Sequence, residues 1–265
     1  MKDIMNQKPC VILTGGGMKG AYQYGFFKRI YEKQPDFKID KVYAVSVGAL
    51  NAVPIITKKM HVLDTHWKNN DFLPFETIVN EWPSVKSKDF YYRNVERARA
   101  FMQKGSIFKS LDTDKCHKML STLTDKELNT LRSNLVILSF NTSEQKIVFH
   151  RCYDAKSTVN AIQSSSLFPG LFHVNSHIID GATIDLNNII QAKRKNNVSW
   201  LCLDLQGSMK IPCHATNSVH IFSPRLVRNS TLNVASCLLV TRKMLDDLID
   251  NGQTDADIYL DQLSA

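Results

Sequence analysis

The sequence predicts an α/β fold, a three-layer α/β/α arrangement with a mainly parallel central sheet and a helical insertion. Three observations carry this. Pro9 to Thr14 is a short apolar run that ends in a glycine cluster, the pattern of a strand buried on both faces. Gly20 to Lys33 and Val47 to Thr57 have helical spacing and flank a second apolar run, Val42 to Val45, so strand, helix, strand and helix follow in tight order. Lys58 to Leu131 then turns polar, helical in pattern and poor in strand formers before strand-like segments resume.

Each element has its own signal. In the first helix Tyr22, Phe26 and Ile30, with Tyr24, Phe27 and Tyr31, recur at helical spacing, and Pro35 stops it. The second helix is interrupted by Pro54. Within the polar middle, Phe90 to Lys104 is amphipathic, with Tyr91, Val95, Ala98 and Met102 on one face and Arg93, Arg97 and Lys104 on the other. It reads as a cap helix packing its apolar stripe on the body, with an interfacial membrane-binding helix as the alternative.

Further along, Asn134 to Asn141 and Lys146 to Cys152 read as neighbouring strands joined by a polar turn. Ser157 to Leu167 fits a helix that ends at Pro169-Gly170. Val174 to Ile179 is a strand closing on Asp180-Gly181, and Trp200 to Leu205 and Val219 to Phe222 are two more. Ser230 to Ile249 reads as a terminal helix, followed by a loose acidic tail.

With 265 residues the chain suits one domain, 1–265, with the insertion at roughly 58–131. The net charge of +8 favours an anionic partner, such as a phospholipid surface or nucleic acid. Six scattered cysteines without a Cys-x-x-Cys pair read as reduced thiols in an intracellular setting. No apolar run approaches membrane-spanning length, so membrane contact is expected to be peripheral. Cys116-His117 and Cys213-His214 lack partners at zinc-finger spacing, and no metal site is expected.

The chemistry concentrates at two turns. A serine hydroxyl becomes a useful nucleophile when a base takes its proton and a sharp turn presents its oxygen. Ser46 stands between a strand and a helix, with small residues two positions either side, Ala44 and Gly48. A plain helix N-cap is the competing reading of Ser46. The glycine turn Gly15-Gly16-Gly17-Met18-Lys19-Gly20 ends the adjacent strand, where free N–H groups could stabilise an oxyanion. Gly15-x-Gly17-x-x-Gly20 also fits a dinucleotide fingerprint, but the acidic residue required after the second strand is absent there. A phosphate-binding P-loop fails as well, since Ala21 follows Gly20.

Taken together, the glycine turn with Gly25, the Ser46 elbow, Ser164 to Phe172 and Asp180-Gly181-Ala182 resemble the patatin-like phospholipase family. The resemblance covers roughly residues 10–55 and 160–190. It implies an enzyme that releases fatty acids from phospholipid esters with a Ser–Asp dyad and no cofactor. Ser46 matches the nucleophile and Asp180 the base, Gly15, Gly16 and Gly17 match the oxyanion turn, and Lys19 matches its basic, substrate-binding position. The implied partner is a phospholipid membrane surface met from the cytoplasm rather than nucleic acid, with an activating protein left open. The chain departs from the family pattern at Ala44, at the β-branched Val47 and after Ala182, where Leu186 to Ile189 replaces the usual continuation. His150, His173 and His177 flank the aspartate, so a histidine-containing triad is a variant of this reading. A catalytically weak lipid-binding protein and, more remotely, a nucleotide-dependent enzyme remain as alternatives.

Overall fold

Four-residue apolar strands with every side chain buried need neighbours on both edges and cover on both faces. Strand β1 (Cys10–Leu13) meets that requirement at the centre of the sheet. It pairs in parallel with β2 (Lys41–Ala44) on one side and β7 (Trp200–Leu203) on the other. The computed structural model describes residues 8–69, 78–79, 113–167, 177–181, 186, 189, 198–209, 219–225 and 240–264.

In chain order the remaining helices are α1 (Gly20–Lys33), α2 (Val47–Thr57), α3 (Met60–Asn69), α4 (Thr113–Ser121), α5 (Asp125–Asn134), α6 (Ala155–Ser165) and α7 (Arg242–Ser264). The other strands are β3 (Ile78–Val79), β4 (Leu135–Asn141), β5 (Lys146–Arg151), β6 (Ile178–Asp180), β8 (Val219–Phe222) and β9 (Val240–Thr241). The main sheet has the order β5-β4-β2-β1-β7-β8 with β6 also on β4. The β2–β4 and β7–β8 pairs are parallel, and β5 and β6 run antiparallel to β4. A mixed sheet, mostly parallel and flanked by helices, is the α/β class the sequence predicts.

One face of the sheet, with Val11, Leu13, Ala44 and Ile137, carries the main core beneath α1, α2, α6 and α7. The opposite face carries Ile12, Tyr43, Val45, Leu138 and Trp200, packed with Leu186 and Ile189. Parallel order along the sheet brings the C-terminal ends of β1 and β2 side by side, where α/β folds place ligand-facing turns.

Several expectations are refined. Helix α2 continues through Pro54 rather than being interrupted there. Proline removes one N–H, and α2 is held by burial on the sheet, Val47 to Ile55 being buried throughout. Helix α6 begins at Ala155, ahead of Ser157, because Asp154 is the cap and Ser157 the third helical residue of a reciprocal capping box. The region 58–131 contributes helices α3, α4 and α5 as expected, and also β3, which pairs with β9. The amphipathic stretch 90–104 lies outside the described residues, as does 230–239.

The C-terminal expectation is corrected. Val240–Thr241 is strand, and the acidic segment after Ile249 is the second half of α7, not a loose tail. Two of its acids, Asp255 and Asp257, have partners on α1. The Tyr22 hydroxyl donates to buried Asp255 at 2.6 Å, and Arg29 and Lys33 bond Asp257 at 2.9 and 2.8 Å. The two helices cross where each has a glycine, Gly25 and Gly252.

Candidate active site

Strand β4 explains how two distant residues meet. Its first half pairs with β2, setting Ala44 beside Ile137. Its second half pairs along the same edge with β6, setting Asp180 beside Ser139. Since β5 occupies the other edge throughout, β2 and β6 approach head to head along one side of β4. The residue that leaves β2 therefore meets the residue that ends β6. Ser46 Oγ donates to Asp180 Oδ2 at 2.7 Å, and Asp180 is buried.

Ser46 has φ 55 and ψ −125, a conformation that side-chain-bearing residues rarely adopt. Such a residue costs about 1–3 kcal/mol and persists only when its surroundings impose it. Here the surroundings are specific. Val45 N–H donates to the Leu13 carbonyl, Ser46 N–H donates to Ser165 Oγ, and the Ser46 carbonyl accepts the Ala49 N–H that begins α2. The Ser46 side chain makes no capping bond to α2. Its hydroxyl is directed to the carboxylate instead, which separates this serine from a plain N-cap.

The elbow needs a glycine on one side only. A Cβ at Gly48 would stand 2.4 Å from the Leu13 carbonyl oxygen. Ala44, at the other flank, lies inside β2 with its methyl buried in the core. The β-branched Val47 is received by Gly20, where a Cβ would stand 2.5 Å from Val47 Cγ2. These are the two departures from the usual elbow pattern, and both have a packing solution.

The glycine turn lies beside the elbow. Gly17 has φ 55, the left-handed region that favours glycine. A Cβ on Gly16 would press on Leu205 at 2.8 Å. Among the described residues, the N–H groups of Gly15, Gly16 and Gly17 donate to no backbone carbonyl. Lys19 ends the short 3-10 turn Gly17–Lys19 and, like Met18, is buried, while Gly17 is partly exposed. Such a turn can hold a developing negative charge on a substrate oxygen.

Sequence reasoning passed over the residues that brace these turns. Gln23 donates to the Thr14 carbonyl at 2.9 Å, and Asn51 donates to the Gly20 carbonyl at 2.9 Å and to Gln23 Oε1 at 3.1 Å. Both side chains are fully buried, linking α1, α2 and the end of β1. The Thr14 hydroxyl ties that end to β7, donating to the Leu203 carbonyl and accepting from Leu205 N–H. A polar residue on the inner face of an apolar helix was the available signal for Asn51. Ser165 lies in the Ser164 to Phe172 segment of the family resemblance, but nothing in the sequence tells which backbone its hydroxyl meets.

Two of the three histidines are described, and both are bonded elsewhere. His150 Nε2 bonds the buried Ser139 hydroxyl at 2.7 Å, and burial holds its imidazole below the ordinary range. The His177 carbonyl accepts from Thr142 N–H at 2.8 Å, and His173 lies outside the described residues. Among the described residues no cluster of three or more His, Cys, Asp or Glu could hold a metal, and no helix is long and apolar enough to cross a membrane.

No curated protein matches the chain. Its fold is similar to the crystal structure of VipD from Legionella pneumophila, with a TM-score of 0.52 and 13% identity over 97% of this chain and 67% of that one. A weaker likeness, with a TM-score of 0.45 and 15% identity, is to the heterodimeric ExoU–SpcU complex from the type III secretion system of Pseudomonas aeruginosa, over 97% of this chain and 52% of that one. The family model for patatin-like phospholipases matches residues 11–193, a span running from β1 through the glycine turn and elbow past Asp180. The chain belongs to the patatin-like phospholipase family.

Proposed function

We propose that this chain is a serine lipid acyl hydrolase of phospholipase A type, acting through Ser46 and Asp180. The observation that carries the reading is the 2.7 Å bond from the Ser46 hydroxyl to a buried carboxylate, at a serine held in a strained elbow. Asp180 removes the hydroxyl proton as Ser46 Oγ attacks the ester carbonyl. The carbonyl oxygen becomes an oxyanion, stabilised by N–H groups of Gly15, Gly16 and Gly17. Collapse of that intermediate expels the lipid alcohol, which takes the proton from Asp180 and leaves an acyl-serine. Asp180 then deprotonates water, which attacks the acyl-serine, and fatty acid departs as Ser46 regains its proton.

Lys19, at the end of the glycine turn, is the substrate-binding residue in this reading, and the whole of 1–265 acts as one unit. The net charge of +8 suits peripheral docking on an anionic phospholipid surface from the cytoplasmic side.

The test is fatty-acid release from mixed phospholipid liposomes. Wild type should release fatty acid, faster from anionic than from neutral vesicles, and Ser46→Ala and Asp180→Asn should each lose at least about 10³-fold in rate. Release that survives in either variant would refute the dyad. Liposome binding that is unchanged by Ser46→Ala, with no release by wild type, would make the chain a lipid-binding protein instead.

A further inference from the structure

We propose that Ser165 is a positioning residue that holds Ser46 in its strained conformation and so keeps its hydroxyl on Asp180. The proposal rests on the Ser46–Asp180 reading above and adds to it a residue outside the dyad.

Ser165 is the last residue of α6 and is fully buried. Its hydroxyl sits between two backbone groups whose roles cannot be exchanged. Ser46 N–H can only donate, and it does so to Ser165 Oγ at 2.8 Å. The Leu138 carbonyl can only accept, and it takes the Ser165 proton at 2.5 Å. The hydroxyl is thereby fixed in direction without choice of rotamer or partner.

Its anchor point is also specific. Leu138 lies between Ile137, which faces β2 at Ala44, and Ser139, which faces β6 at Asp180. Ser165 therefore ties the elbow to the one position on β4 where the two incoming strands meet. Two residues further on, the Leu167 carbonyl accepts the Asp180 N–H at 2.9 Å. The three-residue turn Ser165 to Leu167 thus bonds the backbone of both dyad members, one through a side chain and one through its main chain.

Two consequences follow for the reaction. The Ser46 N–H is committed to Ser165, so the oxyanion must find its donors in the glycine turn and beyond. In addition, Ser46 at φ 55 would gain by relaxing toward an ordinary backbone region once this bond is lost. Relaxation moves the hydroxyl away from the carboxylate while leaving the lipid-binding surface in place. The effect should therefore fall on the chemical step and not on substrate binding.

The experiment compares wild type, Ser165→Ala, Ser165→Cys and Ser166→Ala on a soluble p-nitrophenyl ester, with labelling of Ser46 by a fluorophosphonate and thermal unfolding alongside. A displaced nucleophile should cost about 10- to 100-fold in kcat with KM unchanged within about twofold. The labelling rate should fall in parallel. Ser165→Cys should lie between alanine and wild type, because sulfur is a weak acceptor of similar placement. Ser166, the neighbour, is buried, and its hydroxyl has no hydrogen-bond partner among the described residues, so Ser166→Ala should keep wild-type kcat.

A folded Ser165→Ala enzyme with kcat within about twofold of wild type would overturn the proposal. So would unfolding of both Ser165 variants, since Ser165 would then be a general stability element. If wild type neither turns over ester nor labels at Ser46, the dyad reading itself falls and this proposal with it. An active wild type with an undiminished Ser165→Ala sinks the positioning role alone.

Discussion

At Gly48 a Cβ would stand 2.4 Å from the Leu13 carbonyl oxygen, and that oxygen already accepts the Val45 N–H. It cannot withdraw without disturbing the β1–β2 junction that sets the elbow. Gly48→Ala should therefore destabilise the fold by about 2 kcal/mol or more and displace Ser46. Thermal unfolding and Ser46 labelling should both register it, and an alanine variant matching wild type in both would show that the elbow can yield. Ala44→Gly should do little to geometry, since the alanine methyl is already buried in β2.

A second residue-scale expectation concerns His150. Its imidazole bonds Ser139, and burial depresses its pKa below the ordinary value of 6.5. The folded state then binds fewer protons than the unfolded one just below that value. Stability from the neutral imidazole is present above about pH 6.5 and is lost as pH falls through the depressed value. Wild type should show a falling unfolding midpoint as pH drops below about 6.5, and His150→Gln should show a shallower fall. Parallel slopes for the two proteins would remove His150 as the source.

Between elements, the crossing of α1 and α7 has no room for an added Cβ. A Cβ at Gly252 would lie 2.2 Å from the Tyr22 carbonyl oxygen and 2.8 Å from Phe26 N, and one at Gly25 would lie 2.2 Å from the Ile249 carbonyl oxygen. Backbone on both sides leaves no flexible side chain to move. Gly252→Ala should separate the helices and cost about 2–3 kcal/mol, seen as a lower denaturation midpoint. An unchanged midpoint would mean the helices can slide past one another at no cost. Because Tyr22, Phe26 and Ile30 belong to the main core, separation would also loosen the support behind the glycine turn.

What could be read from sequence divides by distance along the chain. Val11 to Asn51 was legible because β1, its glycine turn, α1, β2 and the elbow are contiguous and each carries its own local signature. The start of α6 was shifted because Ser157 and Asp154 are both capping residue types, and only the reciprocal bonds tell which one is the cap. The C-terminal acids suggested a solvated tail by composition. Asp255 and Asp257 instead meet Tyr22, Arg29 and Lys33, more than two hundred residues earlier. The bracing roles of Ser165, Gln23 and Asn51 are illegible for the same reason, since a side chain that braces another segment's backbone leaves no periodic pattern.

For the whole molecule, strand arrangement decides which residues meet. A mostly parallel sheet aligns the ends of β1 and β2, and the antiparallel β6 delivers Asp180 from the opposite direction along β4. The result is a serine and a buried carboxylate in direct hydrogen-bond contact across 134 positions of sequence. The measurement that tests this most directly is the rate at which a fluorophosphonate probe labels Ser46, located by peptide mass spectrometry, in wild type and Asp180→Asn. Rapid labelling confined to Ser46 in wild type, slowed at least about 100-fold in Asp180→Asn, is the predicted result. Equal labelling in the two proteins, or none at Ser46 in either, would contradict it.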